Sequence, residues 1–140
     1  MDRISREQRS RNMQRIRCAD TSPELAVRRM VCELGFRSRY RLCDNKLPGR
    51  PDLVFCTLHR IIFVHGCFWH SHKDCRLAHV PASKTAYWRA KLARNRKRDG
   101  VHLRELRRRG WEVLVIWECQ LEDTPRKIRG LIAGFLKRRR

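Results

Sequence analysis

Apolar residues recur at helical spacing at Val27, Met30, Val31 and Leu34, directly after "TSPEL". Ser22 is expected to cap this helix, with Pro23 at its first position, Glu24 near the positive end of the dipole and Gly35 closing it. From Phe36 to Leu42 the period changes to two, Phe36, Ser38, Tyr40 and Leu42 alternating with arginines, which predicts a half-buried strand. "DNKLPGRP" breaks the pattern with turn residues. "DLVFC" and "RIIFVH" are continuous apolar runs separated by "TLH", as in a hairpin buried on both faces. An irregular loop over 66–83 leads to a basic helix from Lys84 to Arg109, with a potential break at Gly100. "WEVLVIW" is the most strand-like segment of the chain. Thr124 and Pro125 start a last helix with Ile128, Leu131, Ile132, Phe135 and Leu136 on one face. The order α-β-β-β-α-β-α predicts an α/β fold in which one mixed sheet is flanked by helices.

At 140 residues the chain has the size of one domain and can bury a real core. Residues 1–20, with six Arg against two Asp and one Glu and little apolar periodicity, form a basic arm, and 21–140 form the domain. Lys and Arg total 34 against 14 Asp and Glu, a formal charge of +20 that favours a polyanionic partner through counterion release. Nucleic acid leads over a basic surface kept for solubility or an anionic membrane, and no apolar run approaches the roughly 18 residues a membrane span requires. "MDRISREQRS" lacks the apolar stretch of a secretory signal, so a cytoplasmic or nucleoid-associated location is expected. Seven cysteines in such a setting point to thiols and metal ligands over a disulfide framework. Cys18, Cys32, Cys43 and Cys56 lack paired spacing and read as ordinary small residues.

"HGCFWHSHKDC", residues 65–75, concentrates ligand-type side chains directly after an apolar strand. Cys67, His72 and Cys75 can converge from one short loop, and Cys119 lies just beyond a strand that can run beside it. Three thiolates and one imidazole make a closed tetrahedral zinc set, the alternative being buried thiols and solvated histidines. Asp52 stands at the mouth of "DLVFC", where it is either turn chemistry or a hard-cation ligand. His65 ends the partner strand on the same side, and His70 follows five residues on. Such a carboxylate and imidazoles can hold Mg²⁺ and activate water, an imidazole serving as general base.

"RSRNM", "LPGRPDLVF", "IIFVHGCFWH", "AYWRAKLARNRKRD" and "RRGWEVLVIWEC" occur in this order. Together they resemble the very short patch repair (Vsr) DNA mismatch endonucleases of bacteria, over roughly Ser10 to Cys119. The resemblance implies a restriction-endonuclease-like fold and a nick 5′ to the mismatched thymine of T·G pairs left by deamination of 5-methylcytosine. It makes Asp52 and the main-chain carbonyl of Val64 the Mg²⁺ ligands and His70 the general base. His65 and Asp99 become a supporting imidazole and carboxylate, and Glu24 an acidic residue facing the metal's water shell. Cys67, His72, Cys75 and Cys119 match the zinc ligands. Related nucleases place an acidic residue and a lysine on the second strand, where this chain has "FVH", a departure that favours histidine chemistry.

The same resemblance makes Phe68, Trp69 and Trp88 a wedge entering the base stack, with Met13 inserting from the opposite groove. The alternative for the three aromatics is a place in the core. Arg89, Arg94, Arg96 and Arg98 become phosphate contacts or a solvated face. The implied partner is double-stranded DNA carrying a T·G mispair, with mismatch-repair proteins as candidate further partners, no membrane, and a monomeric state. A non-catalytic zinc-bearing DNA-binding module is the competing reading, needing neither Asp52 nor His70. An RNA-binding accessory protein explains the charge but not the constellation.

Overall fold

The computed structural model describes residues 21–42 and 46–139. Residues 1–20, with Met13 and Cys18, and Cys43 lie outside the described residues. The first helix, α1 (Ser22–Glu33), begins one residue earlier than predicted. Thr21, not Ser22, is the N-cap, its hydroxyl accepting from the Glu24 N–H at 3.5 Å. The helix ends where Gly35 takes φ +91°, a conformation that costs a residue without Cβ little. Gly35 N–H then donates to the Cys32 carbonyl and Phe36 N–H to that of Val31.

This ending accounts for the one misplaced strand. Phe36 is turned into the core, edge-on to Phe55 at 6.4 Å, and Arg39 N–H closes a turn onto the Phe36 carbonyl. Only β1 (Arg41–Leu42) remains extended, where Phe36 to Leu42 was expected. The hairpin β2 (Leu53–Phe55) and β3 (Arg60–His65) forms as predicted, antiparallel and buried at every position.

The basic helix α2 (Thr85–Arg108) runs through Gly100 without a break. It returns the chain to β4 (Glu112–Trp117), which pairs in parallel with β3, placing His65 beside Trp117. A short helix missed by the pattern, α3 (Glu118–Asp123), precedes α4 (Pro125–Lys137). Strand order is β1-β2-β3-β4, a mixed four-stranded sheet with flanking helices.

Alternation along β3 divides the interior. Ile62 and Val64, with Leu53, Phe55 and Ile116, pack against Val27 and Val31 of α1 and Ile128, Ile132 and Leu136 of α4. Ile61 and Phe63, with Val54, pack against Leu106 of α2 on the other face. Each such aliphatic side chain contributes about 1.5–3 kcal/mol by leaving water. Of the five residues expected on one face of α4, Leu131 is solvent-exposed. Arg60 opens β3 fully buried because its guanidinium donates to the carbonyls of Leu136 and Arg138, capping α4. Among the described residues no helix is long and apolar enough to cross a membrane.

Candidate active site and metal centre

The functional side chains gather where β3 ends. Asp52 directly precedes β2, and the hairpin register sets it opposite Phe63, on the sheet face that also carries His65. The Asp52 carboxylate accepts from the Val64 N–H at 2.7 Å, which holds it against the strand. Together with Glu24, Val64, His65, His70 and Asp99 it lines a cleft of about 230 Å³. Glu24 is buried in the first turn of α1, 3.5 Å from Arg28. Burial pushes the Asp52 carboxyl up to about 6, and the Glu24 charge adds to the rise. Two carboxylates converging in a buried cleft form a hard-oxygen donor set that a divalent cation suits. The donor set therefore fits Mg²⁺ at Asp52.

His70 lies on the loop after β3, and its Nδ1 is 2.6 Å from Oδ2 of Asp99 on α2. Because a carboxylate only accepts, Nδ1 donates, and the lone pair of a neutral ring is left on Nε2. The His65 ring stacks on that of His70, centroids 3.8 Å apart and planes within 3°. His65 is buried, which lowers its pKa to about 4, with His70 pushing in the same direction. It is therefore a neutral ring, and it also packs against Phe63, tilted at 5.5 Å between centroids.

A second cluster lies further along the same loop. One ligand atom each from Cys67, His72, Cys75 and Cys119 falls within 4.8 Å of all the others. His72 Nδ1 is 3.6 Å from the sulfur of Cys67 and 3.4 Å from that of Cys119. Zinc bonds of about 2.3 Å to sulfur and 2.0 Å to nitrogen give a tetrahedral S···N edge of about 3.5 Å, so the cluster has the size zinc needs. Burial pushes the Cys67 thiol up to about 12, and a bound cation would displace that proton. Cys119 is delivered by the first turn of α3, its N–H 3.4 Å from the Cys67 sulfur.

Phe68, Trp69 and Trp88 meet edge to face, at 4.9, 5.6 and 6.1 Å between centroids. None belongs to either core cluster, and all three are half-buried. The Lys91 ammonium sits over the rings of Trp69, Tyr87 and Trp88 at 5.4–5.9 Å. Asn95, one turn on, donates to the Trp69 carbonyl at 3.2 Å and ties the loop to α2.

A family model described as DNA mismatch endonuclease Vsr matches residues 1–77. The chain is 44% identical over 122 residues to the type II nicking enzyme V.XorIIP of Xanthomonas oryzae pv. oryzae, covering 87% of this chain and 88% of that protein. It is 42% identical over 118 residues to the DNA mismatch endonuclease Vsr of Escherichia coli K12, covering 84% and 74% respectively. The type II nicking enzyme V.NmeAIP of Neisseria meningitidis is 38% identical over 122 residues, 87% of this chain and 85% of that one. The chain belongs to the Vsr DNA mismatch endonuclease family.

Within this Vsr-family chain, the expected residues fall into three neighbouring groups: the Asp52–Glu24–His65–His70–Asp99 cleft, the Cys/His cluster and the aromatic knot. Met13 lies outside the described residues. The reading of the residues missed several neighbours. Lys91 and Asn95 follow Trp88 at spacings of three and seven, on one face of α2, and a helical projection of "AYWRAKLARN" would have found them. His102, three residues after Asp99, lines the same cleft and carries the same signal. Trp117 was assigned to its strand alone. It also stacks on His72 at 4.1 Å, a contact no linear pattern reveals.

Proposed function

We propose that the protein is a Mg²⁺-dependent DNA mismatch endonuclease that nicks duplex DNA 5′ to the thymine of a T·G mispair, the lesion left when 5-methylcytosine deaminates. The observation that carries this reading is the His70–Asp99 contact of 2.6 Å opening onto the cleft that holds Asp52, in a chain of a family whose relatives bear the names of nicking and mismatch endonucleases. The mixed sheet, with Asp52 at the mouth of its hairpin, supports a restriction-endonuclease-like fold. Residues 21–140 serve as the endonuclease domain and 1–20 as a DNA-contacting arm that brings Met13 to the duplex.

Asp52, with the Val64 carbonyl, is the proposed Mg²⁺ ligand, and Glu24 faces the water shell. Bound there, the cation would polarise the phosphate oxygens and neutralise charge developing on the departing 3′-oxygen. Asp99 fixes the His70 tautomer, so Nε2 accepts the proton of the attacking water. The neutral His65 ring braces His70 from its face and adds no charge beside it. Cys67, His72, Cys75 and Cys119 hold a structural zinc that closes the loop carrying His70. Phe68, Trp69 and Trp88 form the wedge that enters the stack beside the mispair, while arginines of α2, among them Arg89, Arg94, Arg96 and Arg98, take the backbone phosphates.

A nicking assay tests this on a duplex carrying one T·G pair, with a matched duplex and a Mg²⁺-free reaction as controls. Strand-specific nicking 5′ to the thymine is expected only with mispair and Mg²⁺ together. Tight T·G binding without any nicking would support the zinc-bearing binding module in its place.

A further inference from the structure

Four rings form a continuous path between the Cys/His cluster and the His70–Asp99 contact of the cleft. His72 of the Cys/His cluster stacks on Trp117, centroids 4.1 Å apart and planes within 9°. The Trp117 indole then meets His65 edge-on at 5.1 Å and 79°, and His70 at 6.5 Å and 77°. His65 and His70 lie face to face, and His70 ends the path on Asp99. The position of Trp117 is itself over-determined. Its backbone pairs with His65 across the parallel strands, and its N–H donates to Gln120 Oε1 at 3.0 Å, at the start of the helix that delivers Cys119.

We propose that Trp117 is a positioning residue, whose indole transmits the order of the Cys67–His72–Cys75–Cys119 cluster to the His65–His70 pair and so sets the angle at which His70 presents Nε2 to the cleft. This rests on the reading of that cluster as a zinc site and of His70 as the base. The physical basis is packing. His70 is anchored through one atom, Nδ1, about which its ring can swing, and a hydrogen bond to a single carboxylate oxygen does not fix the ring plane. Two ring contacts do, the stacked His65 ring and the perpendicular Trp117 ring, and interiors packed at crystal-like density pass displacements on to their neighbours. The indole stacks on His72 and at the same time stands perpendicular to both catalytic-side imidazoles. Loss of the indole leaves His70 its proton acceptor and removes its alignment, a type of misplacement that costs an enzyme rate more than affinity.

The test compares wild type with Trp117→Leu and Trp117→Phe on three readouts: zinc content, kcat and KM on T·G duplex, and the imidazole ¹⁵N–¹H correlations of His65 and His70 in the DNA-free protein. Trp117→Leu is expected to keep one zinc per chain and KM within about two-fold, to lose about 10- to 100-fold in kcat, and to shift or broaden both imidazole signals. Trp117→Phe, which retains an aromatic edge, should recover part of both losses, and it serves for every readout if the leucine variant does not fold. Chelating the zinc from wild type should move the His65 and His70 signals more than the same treatment moves them in Trp117→Phe. Unchanged kcat and imidazole signals in a zinc-loaded variant overturn the proposal. So does a kcat loss fully reversed by added zinc, which would assign Trp117 to the ligand cluster alone. If the wild type fails to nick or holds no zinc, the underlying reading fails instead, and the imidazole spectra still report on the ring path without any activity.

Discussion

Nδ1 of His70 and Oδ2 of Asp99 stand 2.6 Å apart across the gap between the loop after β3 and helix α2. The contact joins residues 29 positions apart and determines which nitrogen of the imidazole is free. His70→Ala should lower kcat by about 10² to 10⁴, the usual scale for a general base, with T·G affinity retained. Asp99→Asn should fall in the same range, because a carboxamide can donate to Nδ1 and leave the proton on Nε2. Single-turnover nicking beside binding titrations checks both, and full activity in either variant would remove the dyad from the mechanism.

Asp52→Asn should abolish nicking and stabilise the metal-free protein. The native carboxylate is buried and faces Glu24, so its ionised form is disfavoured in the fold, which is why its pKa rises to about 6. A raised carboxyl pKa means that folding favours the protonated form, and stability falls as pH rises from near 4 to 6. The neutral amide keeps an oxygen for the Val64 N–H and drops the charge. A gain of about 1–3 kcal/mol at pH 7.5 without Mg²⁺ is expected. Denaturant unfolding at pH 4 and 7.5 measures it, and the gain should shrink at the lower pH.

One zinc per chain is expected by elemental analysis, and its removal by a strong chelator should lower the thermal stability of a protein that stays folded at room temperature. Replacing Cys67 and Cys119 together by Ser should abolish zinc binding. A metal-free preparation with undiminished thermal stability would eliminate the structural zinc.

Trp69→Ala or Trp88→Ala should weaken binding to T·G duplex by about 1–3 kcal/mol, the scale of base stacking on an aromatic, and change matched-duplex binding little. The two rings lie 6.1 Å apart and share Phe68 and Lys91, so the double variant should lose less than the sum. Titrations of both duplexes at one salt concentration decide this. Equal losses on matched and mismatched DNA would mean that the aromatics support the fold and do not read the mispair.

Gly49 adopts φ +77°, and a Cβ there would lie 3.1 Å from the His102 Cβ and 3.2 Å from the Phe63 ring. Gly49→Ala should cost about 1–2 kcal/mol in stability and lower kcat as well, since the displaced segment leads within three residues to Asp52. Chemical denaturation and nicking rates report the two effects separately.

The sequence legibly carries those parts of the molecule that short-range physics controls. The hairpin, the basic helix and the strand "WEVLVIW" lie where periodicity puts them, and the convergence of Cys67, His72 and Cys75 follows from loop length alone. Phe36–Leu42 misled because an alternating pattern cannot show that the helix ending at Gly35 rotates Phe36 inward. Gly100 gives no break because one glycine costs a helix about 1 kcal/mol, which α2 offsets over its 24 residues. Trp117 illustrates the remainder. Its strand was plain from pattern, whereas its contact with His72 depends on parallel pairing with His65, 52 positions earlier, information no local window contains.

Between Cys67 and Cys75 the side chains are ordered along the chain: a proposed zinc ligand, two proposed wedge aromatics, the proposed base, then two more proposed zinc ligands. The stretch from Cys67 to His70 is held at both ends, by the cluster and by Asp99, so an inserted residue there would tear the aromatics from Trp88 or the imidazole from its carboxylate. From His72 to Cys75 the chain leaves the cluster and returns to the same cluster, without carrying a wedge or cleft residue in between. The two intervening residues, Lys73 and Asp74, point to solvent, and Asp74 takes φ +52°. Length variation among homologous chains should therefore concentrate between His72 and Cys75, making that short segment the natural place to graft a label or extend the loop without disturbing cleavage.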